Sequence, residues 1–223
     1  SQLSFDSDIV IWDYYIDYGN CKRKVRQKET NNPYNRLLSL LKKNDMPCVW
    51  CNMIKRSLYI DNSIMNEEGI DYSEDFQVVP KLIYYADKIS YINDPLYYYN
   101  CSNVGSYTNT LNSKKMEQLF RTIDILKDFF KEKGKLFVDA IEYSEIFSLS
   151  QYMNVIIKQE NHDYYFLELH KRWDSIDPNI RKYLPIWRRA LFILPDNFLL
   201  KGYVCLGKNV NRLYNYLDQR FLK

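Results

Sequence analysis

The chain has 223 residues, of which 46% are hydrophobic and 26% charged, with 31 basic against 28 acidic groups and a net charge of +3. This length fits one domain with an appendage or two small ones, and the composition excludes a disordered or low-complexity chain. No apolar run is long enough for a membrane span, so no spanning helix and no cleavable signal are expected.

In chain order, residues 8–15 (DIVIWDYY) are apolar and β-branched and read as a buried strand. Residues 19–33 are polar and basic and close on a proline, which predicts a loop or a hairpin arm. Leucines at 37, 38, 40 and 41 predict a short helix over 34–43. Residues 47–60 mix apolar and basic side chains around Trp50, and 61–71 read as a surface loop. Ser73 is placed to cap a helix that opens with Glu74 and Asp75, with a kink or restart at Pro80. Residues 88–99 read as two short strands joined at Asp94-Pro95.

Beyond this point the character is helical. Ser113 is the expected cap of a helix with Met116, Leu119, Phe120, Ile123, Leu126 and Phe130 on one face, ended by Gly134. A second helix is expected over 136–160. Residues 178–223 read as helical with interruptions at Pro185 and Pro195, and Val210, Leu213, Leu217 and Phe221 form a last apolar stripe.

The five cysteines are an odd number, which argues for a reducing compartment rather than a disulfide scaffold. Cys48-x-x-Cys51 has metal or redox spacing but no second such pair, so the reading is two buried thiols, with a functional pair as the alternative. Tyrosine is the outlier at 21, which suits stacking on ring-shaped ligands and would equally follow from an A+T-rich coding sequence. Residues 181–223 hold nine basic groups and two acidic ones, Asp196 and Asp218. Such a tail can dock on anionic lipid or polyphosphate, or form a solvated helix face.

No Gly-rich phosphate loop, HExxH, GxSxG or kinase set occurs, and His162 and His170 have no adjacent nucleophile. Carboxylates are the remaining candidates. In the acidic run from Glu67 to Phe76, Asp75 stands in the first turn of the expected helix. There backbone N–H groups would orient it and favour its ionised form, as a general base requires. On residue types alone, a plain capping cluster is the alternative.

The run from Met46 to Thr108 resembles the second half of a family 2 glycosyltransferase of bacterial surface-polysaccharide synthesis. Trp50 followed by Lys55, Arg56 and Leu58 is similar to that family's Trp and "K-R-x-L" segment. Glu74-Asp75 resembles its helix-opening pair, Ala86 to Ile92 its "a-d-K-I-x-x-I" strand, and Leu96 to Tyr99 with Ser106 its aromatic strand and following Ser. Upstream, DIVIWDYYIDYG is similar to its "a-D-I-V-x-x-D-Y" strand, so the resemblance covers residues 6–110.

The resemblance implies a mixed α/β fold, α+β tending to α. An incomplete GT-A Rossmann-like half would span residues 1–110 on the acceptor side, and a mainly helical region 111–223. It implies transfer of a sugar from a nucleotide-sugar to a glycan hydroxyl, with inversion. Asp75 would be the base, Glu74 would orient it or touch the acceptor, and Trp50 would line the acceptor side. The family's donor half carries a DxD motif that binds Mg²⁺ or Mn²⁺. Asp6-Ser7-Asp8 spells DxD, but Asp8 aligns with the Asp of the "a-D-I-V" strand, so no metal ligand is assigned in this chain. The divalent metal is expected only in an intact, longer enzyme, of which this chain would be the C-terminal part, inactive alone.

The expected partners are a nucleotide-sugar, a glycan or lipid-linked acceptor and, through the basic C-terminus, a membrane surface. The expected location is cytoplasmic, peripheral at the inner face of the membrane. A non-catalytic glycan-binding or protein-interaction module is the alternative. Nucleic-acid binding is not expected, because the net charge is low and no nucleic-acid motif occurs.

Overall fold

The computed structural model describes residues 6–27, 32–102, 112–156 and 162–193. The content is mixed α/β: among the described residues strands and helices alternate up to Asn100, and only helices follow. The described chain divides into two compact units, Ser1–Glu145 and Ile146–Lys223. The division therefore lies inside a helix and not near residue 110, because the first long helix after the strands packs back on the helix that opens with Glu74.

Strand β1 (Ile9–Asp17) is the centre of the sheet. Along one edge it pairs antiparallel with β3 (Asn52–Ile54) at Ile9–Ile11 and with β2 (Lys22–Val25) at Tyr14–Asp17. Along the other edge it pairs parallel with β4 (Ile89–Asn100) over its whole length. A strand hydrogen-bonded on both edges is buried on both faces in its first half, which explains the unbroken apolar run Ile9, Val10, Ile11. The β1–β2 pair is the hairpin arm expected over 19–33. Gly19 makes its turn at φ +84°, where Asp17 Oδ1 accepts from the Gly19 N–H at 2.8 Å.

Strand β4 is one strand and not two. The register to β1 shifts on either side of the Asp13–Pro95 pair, so a bulge absorbs the proline, which has no N–H for the ladder. Its alternation then places Tyr97 and Tyr99 opposite Tyr14 and Ile16 on one face, and Tyr98 opposite Tyr15 on the other.

The parallel β1–β4 pair requires a crossover, which contains α1 (Pro33–Leu41), a 3₁₀ turn (Val49–Cys51), α2 (Arg56–Asp61) and α3 (Glu74–Tyr84). Asn32 caps α1 by accepting from the Asn35 N–H, and Leu37, Leu40 and Leu41 face the core. Ser73 stands at the N-terminus of α3 as expected but does not cap it. Its backbone is left-handed (φ 70°), and its side chain makes no capping bond. Helix α3 runs through Pro80 to Tyr84 without a restart.

Cys48 and Cys51 are buried as expected but paired as a disulfide, so they are not free thiols. Cysteine usage therefore no longer supports a reducing compartment.

Helix α4 (Ser113–Phe130) is capped by Asn112, not Ser113, and all six residues of its expected stripe are buried. A turn at Gly134 leads to α5 (Lys135–Ile156), and residues 157–160 of the helix expected over 136–160 lie outside the described residues. In the first unit, Lys127 of α4 lies 2.6 Å from Glu145 and 3.7 Å from Glu142 of α5.

In the second unit, α6 (His162–Ser175) lies in the region expected to be mainly helical, although the sequence reading places no separate element there. It is followed by α7 (Pro178–Arg181) and α8 (Ile186–Arg189). Trp173 stacks on Phe192 at 4.4 Å, and His170 packs on Phe166 at 4.3 Å, a core role for that histidine. No helix among the described residues is long and apolar enough to cross a membrane. The stripe Val210, Leu213, Leu217, Phe221, most of the basic tail, and Ser106 lie outside the described residues.

Candidate functional site

The three residues singled out from sequence meet at one cavity of the first unit, of about 810 Å³. Glu74 and Asp75 come from the first turn of α3, and Trp50 from the 3₁₀ turn. The wall is completed by the loop after α1 (Lys43 to Cys48), the residues leading into α3 (Asp71 to Ser73), Phe76, and Tyr99 of β4. Of the three non-glycine residues with positive φ in the described chain, Lys43 and Ser73 line this cavity. Such conformations are sparsely populated and concentrate at functional sites.

Trp50 lies nearly parallel to Tyr97 (4.5 Å, 23°) and to Tyr99 (5.3 Å, 15°), and meets Tyr14 edge-on at 4.9 Å. Alternate residues of a strand stand about 7 Å apart on one face, so the indole can pack against both tyrosine rings of β4 at once. Trp50 and Tyr99 both line the cavity, where a ligand would meet their rings. The buried disulfide and Tyr14 pack beneath this stack.

The carboxylate of Asp75 is held by the 3₁₀ turn: Oδ2 accepts from the Val49 N–H at 3.1 Å, and no other hydrogen bond reaches it from the described residues. Burial pushes the Asp75 pKa up, and the Val49 N–H opposes this only in part. The expected preference for the ionised form is thus reversed in direction. The physical reason is that a single N–H answers a half-buried carboxylate, where a fully capping helix start would offer several. A raised pKa brings a carboxylate closer to the range in which a base exchanges protons at neutral pH. Glu74 is also raised, first by burial and then by Asp75 and Asp71. Burial and the Asp75 charge together raise Tyr59.

Behind the wall runs a buried polar chain. Arg36, almost fully buried, donates to Gln27 Oε1 at 2.9 Å and pairs with Asp45 at 3.3 Å, while Gln27 Nε2 reaches Cys51 Sγ at 3.2 Å. This chain fixes the loop after α1 against the disulfide, and it carries the charge of Asp45.

The described residues do not fit a divalent cation. Both oxygens of Asp8 are committed, Oδ1 to Lys55 Nζ at 2.9 Å and Oδ2 to the N–H groups of Asp87 and Lys88 at 2.9 and 3.0 Å. Burial alone would raise the Asp8 pKa, but these partners hold it below the ordinary value. Asp8 therefore ties β1 to Lys55 and to the start of β4. Among the described residues no group of three His, Cys, Asp or Glu side chains could hold a metal ion.

Sequence reasoning missed Tyr97, Tyr99, Asp71 and the loop after α1. The alternation of Tyr97 and Tyr99 was a readable signal, since residues two apart on a strand share a face. The loop was not readable, because only the fold brings it across from α3. Comparisons with protein-family models, with curated proteins and with solved structures found no match to this chain.

Proposed function

We propose that the chain forms the acceptor side of a nucleotide-sugar-dependent glycosyltransferase, in which Asp75 is the base that deprotonates an acceptor hydroxyl. The observation that carries this reading is the placement of Asp75 on the cavity wall. One oxygen is fixed by the Val49 N–H, and the other has no hydrogen-bond partner among the described residues. A hydroxyl seated in the cavity can give its proton to that second oxygen as its own oxygen attacks the anomeric carbon of the donor sugar, whose bond to the nucleoside diphosphate breaks with the diphosphate leaving. Glu74, one residue before it, is placed to accept from a neighbouring hydroxyl. The Trp50–Tyr99 edge offers an apolar surface to the C–H face of a sugar ring.

The parallel β1–β4 pair with its helical crossover is compatible with a GT-A-like half, which is part of the same proposal. Peripheral contact with the inner face of a membrane is a further part. Its support among the described residues is Trp187 of α8, with the Arg188 guanidinium 4.8 Å from its ring, and Arg189 beside them. The divalent metal of such enzymes would neutralise the diphosphate leaving group. No step is assigned to it here, because the described residues do not fit it.

The test is sugar transfer from nucleotide-sugars to glycan acceptors by an enzyme in which this chain is joined to a donor-binding half, with and without Asp75→Asn, alongside acceptor binding by both. Transfer that is lost with binding retained supports the reading. Glycan binding without turnover, unchanged in Asp75→Asn, identifies a binding module instead.

A further inference from the structure

The cavity wall is unevenly compensated in charge. Its ionisable groups other than tyrosines are Lys43, Asp45, Asp71, Glu74 and Asp75. Asp45 is answered by Arg36 at 3.3 Å. Lys43 holds its ammonium 4.9 Å from the centre of the Phe76 ring. Desolvation there lowers its pKa, and the attraction of Glu145 opposes that shift. Asp71, Glu74 and Asp75 have no ion-pair partner among the described residues. They repel one another, since Asp75 and Asp71 both act to raise Glu74.

Three uncompensated carboxylates beside Trp50, Tyr72, Phe76 and Tyr99 face a space that loses water when a ligand enters. In that lowered dielectric a further negative charge is excluded, and a cationic donor is attracted more strongly than in water.

We infer that this cavity selects an acceptor bearing a protonated amine, an amino sugar with a free ammonium, over a neutral sugar, and rejects a uronic acid. The inference rests on the acceptor reading above and adds the charge class of the acceptor. An ammonium between Glu74 and Asp71 supplies the cation those carboxylates lack, and leaves Asp75 to the reacting hydroxyl. Non-specific attraction would give the opposite order, because the whole chain carries a net charge of +3.

The experiment is calorimetric titration of the full chain, in EDTA, with tetrasaccharides of glucosamine, N-acetylglucosamine and glucuronic acid. The amine form is expected to bind about tenfold more tightly than the neutral form, and the uronate more weakly than either. Raising the salt is expected to shrink the amine preference by screening, a readout that needs no variant. The paired variant Asp71→Asn with Glu74→Gln is expected to abolish the preference. Equal affinities, or a uronate that binds best, would overturn the charge inference while leaving the sugar site standing. Failure of all three to bind would overturn the acceptor reading itself, and this inference with it.

Discussion

Two groups of carboxylates in the first unit are treated in opposite ways by the fold. Glu142 and Glu145 of α5 share the ammonium of Lys127, and Glu145 is fully buried at 2.6 Å from it. Asp71, Glu74 and Asp75 stand at the start of α3 around a cavity, and none of the three forms an ion pair with the described residues, Lys43 of the same wall included. The first arrangement is what a helix–helix interface needs when it encloses charge: burial is tolerated because the partner is present. The second leaves charge unanswered where a ligand can enter, and raises both Glu74 and Asp75. Paired buried charge marks structure, and unpaired, half-buried charge at a cavity marks a candidate site.

The largest expected effect breaks the comparison at the site. In an enzyme assayed for transfer, Asp75→Asn should lower the rate by about 10²–10⁴-fold, the usual contribution of a general base, with stability at neutral pH preserved. A variant that lost stability instead would place Asp75 with the paired, structural group.

The same logic applied to α4 and α5 predicts the reverse. Lys127→Met should destabilise the chain by about 3 kcal/mol in urea unfolding, because it removes the ammonium 2.6 Å from the buried Glu145 carboxylate. A loss below about 1 kcal/mol would show that Glu145 is carried by other contacts.

Trp50→Ala tests the wall between the site and the sheet. Removing the ring that packs on Tyr14, Tyr97 and Tyr99 should cost about 2 kcal/mol, and Trp50→Phe should recover most of it, as read by the same unfolding transition.

The smallest effect sharpens the comparison through pH. The folded-state pKa values of Asp75 and Glu74 lie above their ordinary values of 3.8 and 4.5. The folded chain thus binds more protons than the unfolded one in this range. The stability these groups contribute is fully present below those ordinary values and is lost as pH rises through the raised ones. The paired variant Glu74→Gln with Asp75→Asn should therefore lose less stability between about pH 4 and 7 than the parent, by about 1 kcal/mol or less. A parallel pH dependence in the two proteins would remove the claim that these carboxylates are unanswered.

Much of the fold was legible. The β-branched run Ile9–Ile11, the leucines of α1 and the six-residue stripe of α4 each carry the period of their element, and each is buried as that period requires. Legibility failed where competing local signals had to be decided by the tertiary context. Pro95 reads as a strand break, yet the strand continues because a bulge beside Asp13 removes the need for its N–H. Ser73 reads as a cap, yet a left-handed backbone turns its side chain away from that role. The polarity of α6 hid a helix whose apolar residues Phe166, Leu169 and Trp173 are buried at spacings of three and four.

For the site, the sequence by itself determined which groups could do chemistry: the adjacent carboxylates Glu74 and Asp75, and an aromatic Trp50 in a turn between two cysteines. Local spacing fixed that the first two share the opening of a helix, since neighbours in sequence cannot be separated in space. Only the tertiary structure decided that Trp50, 24 positions before Glu74, lies on the same cavity, that Val49 supplies the one N–H on Asp75, and that Asp8 is spent on Lys55 and the start of β4. These are consequences of the parallel β1–β4 crossover, which draws distant segments together. The same holds for charge. A sequence lists carboxylates, but whether each meets a cation, as Glu145 does, or none, as Asp71 does among the described residues, depends on packing between elements that no local pattern encodes.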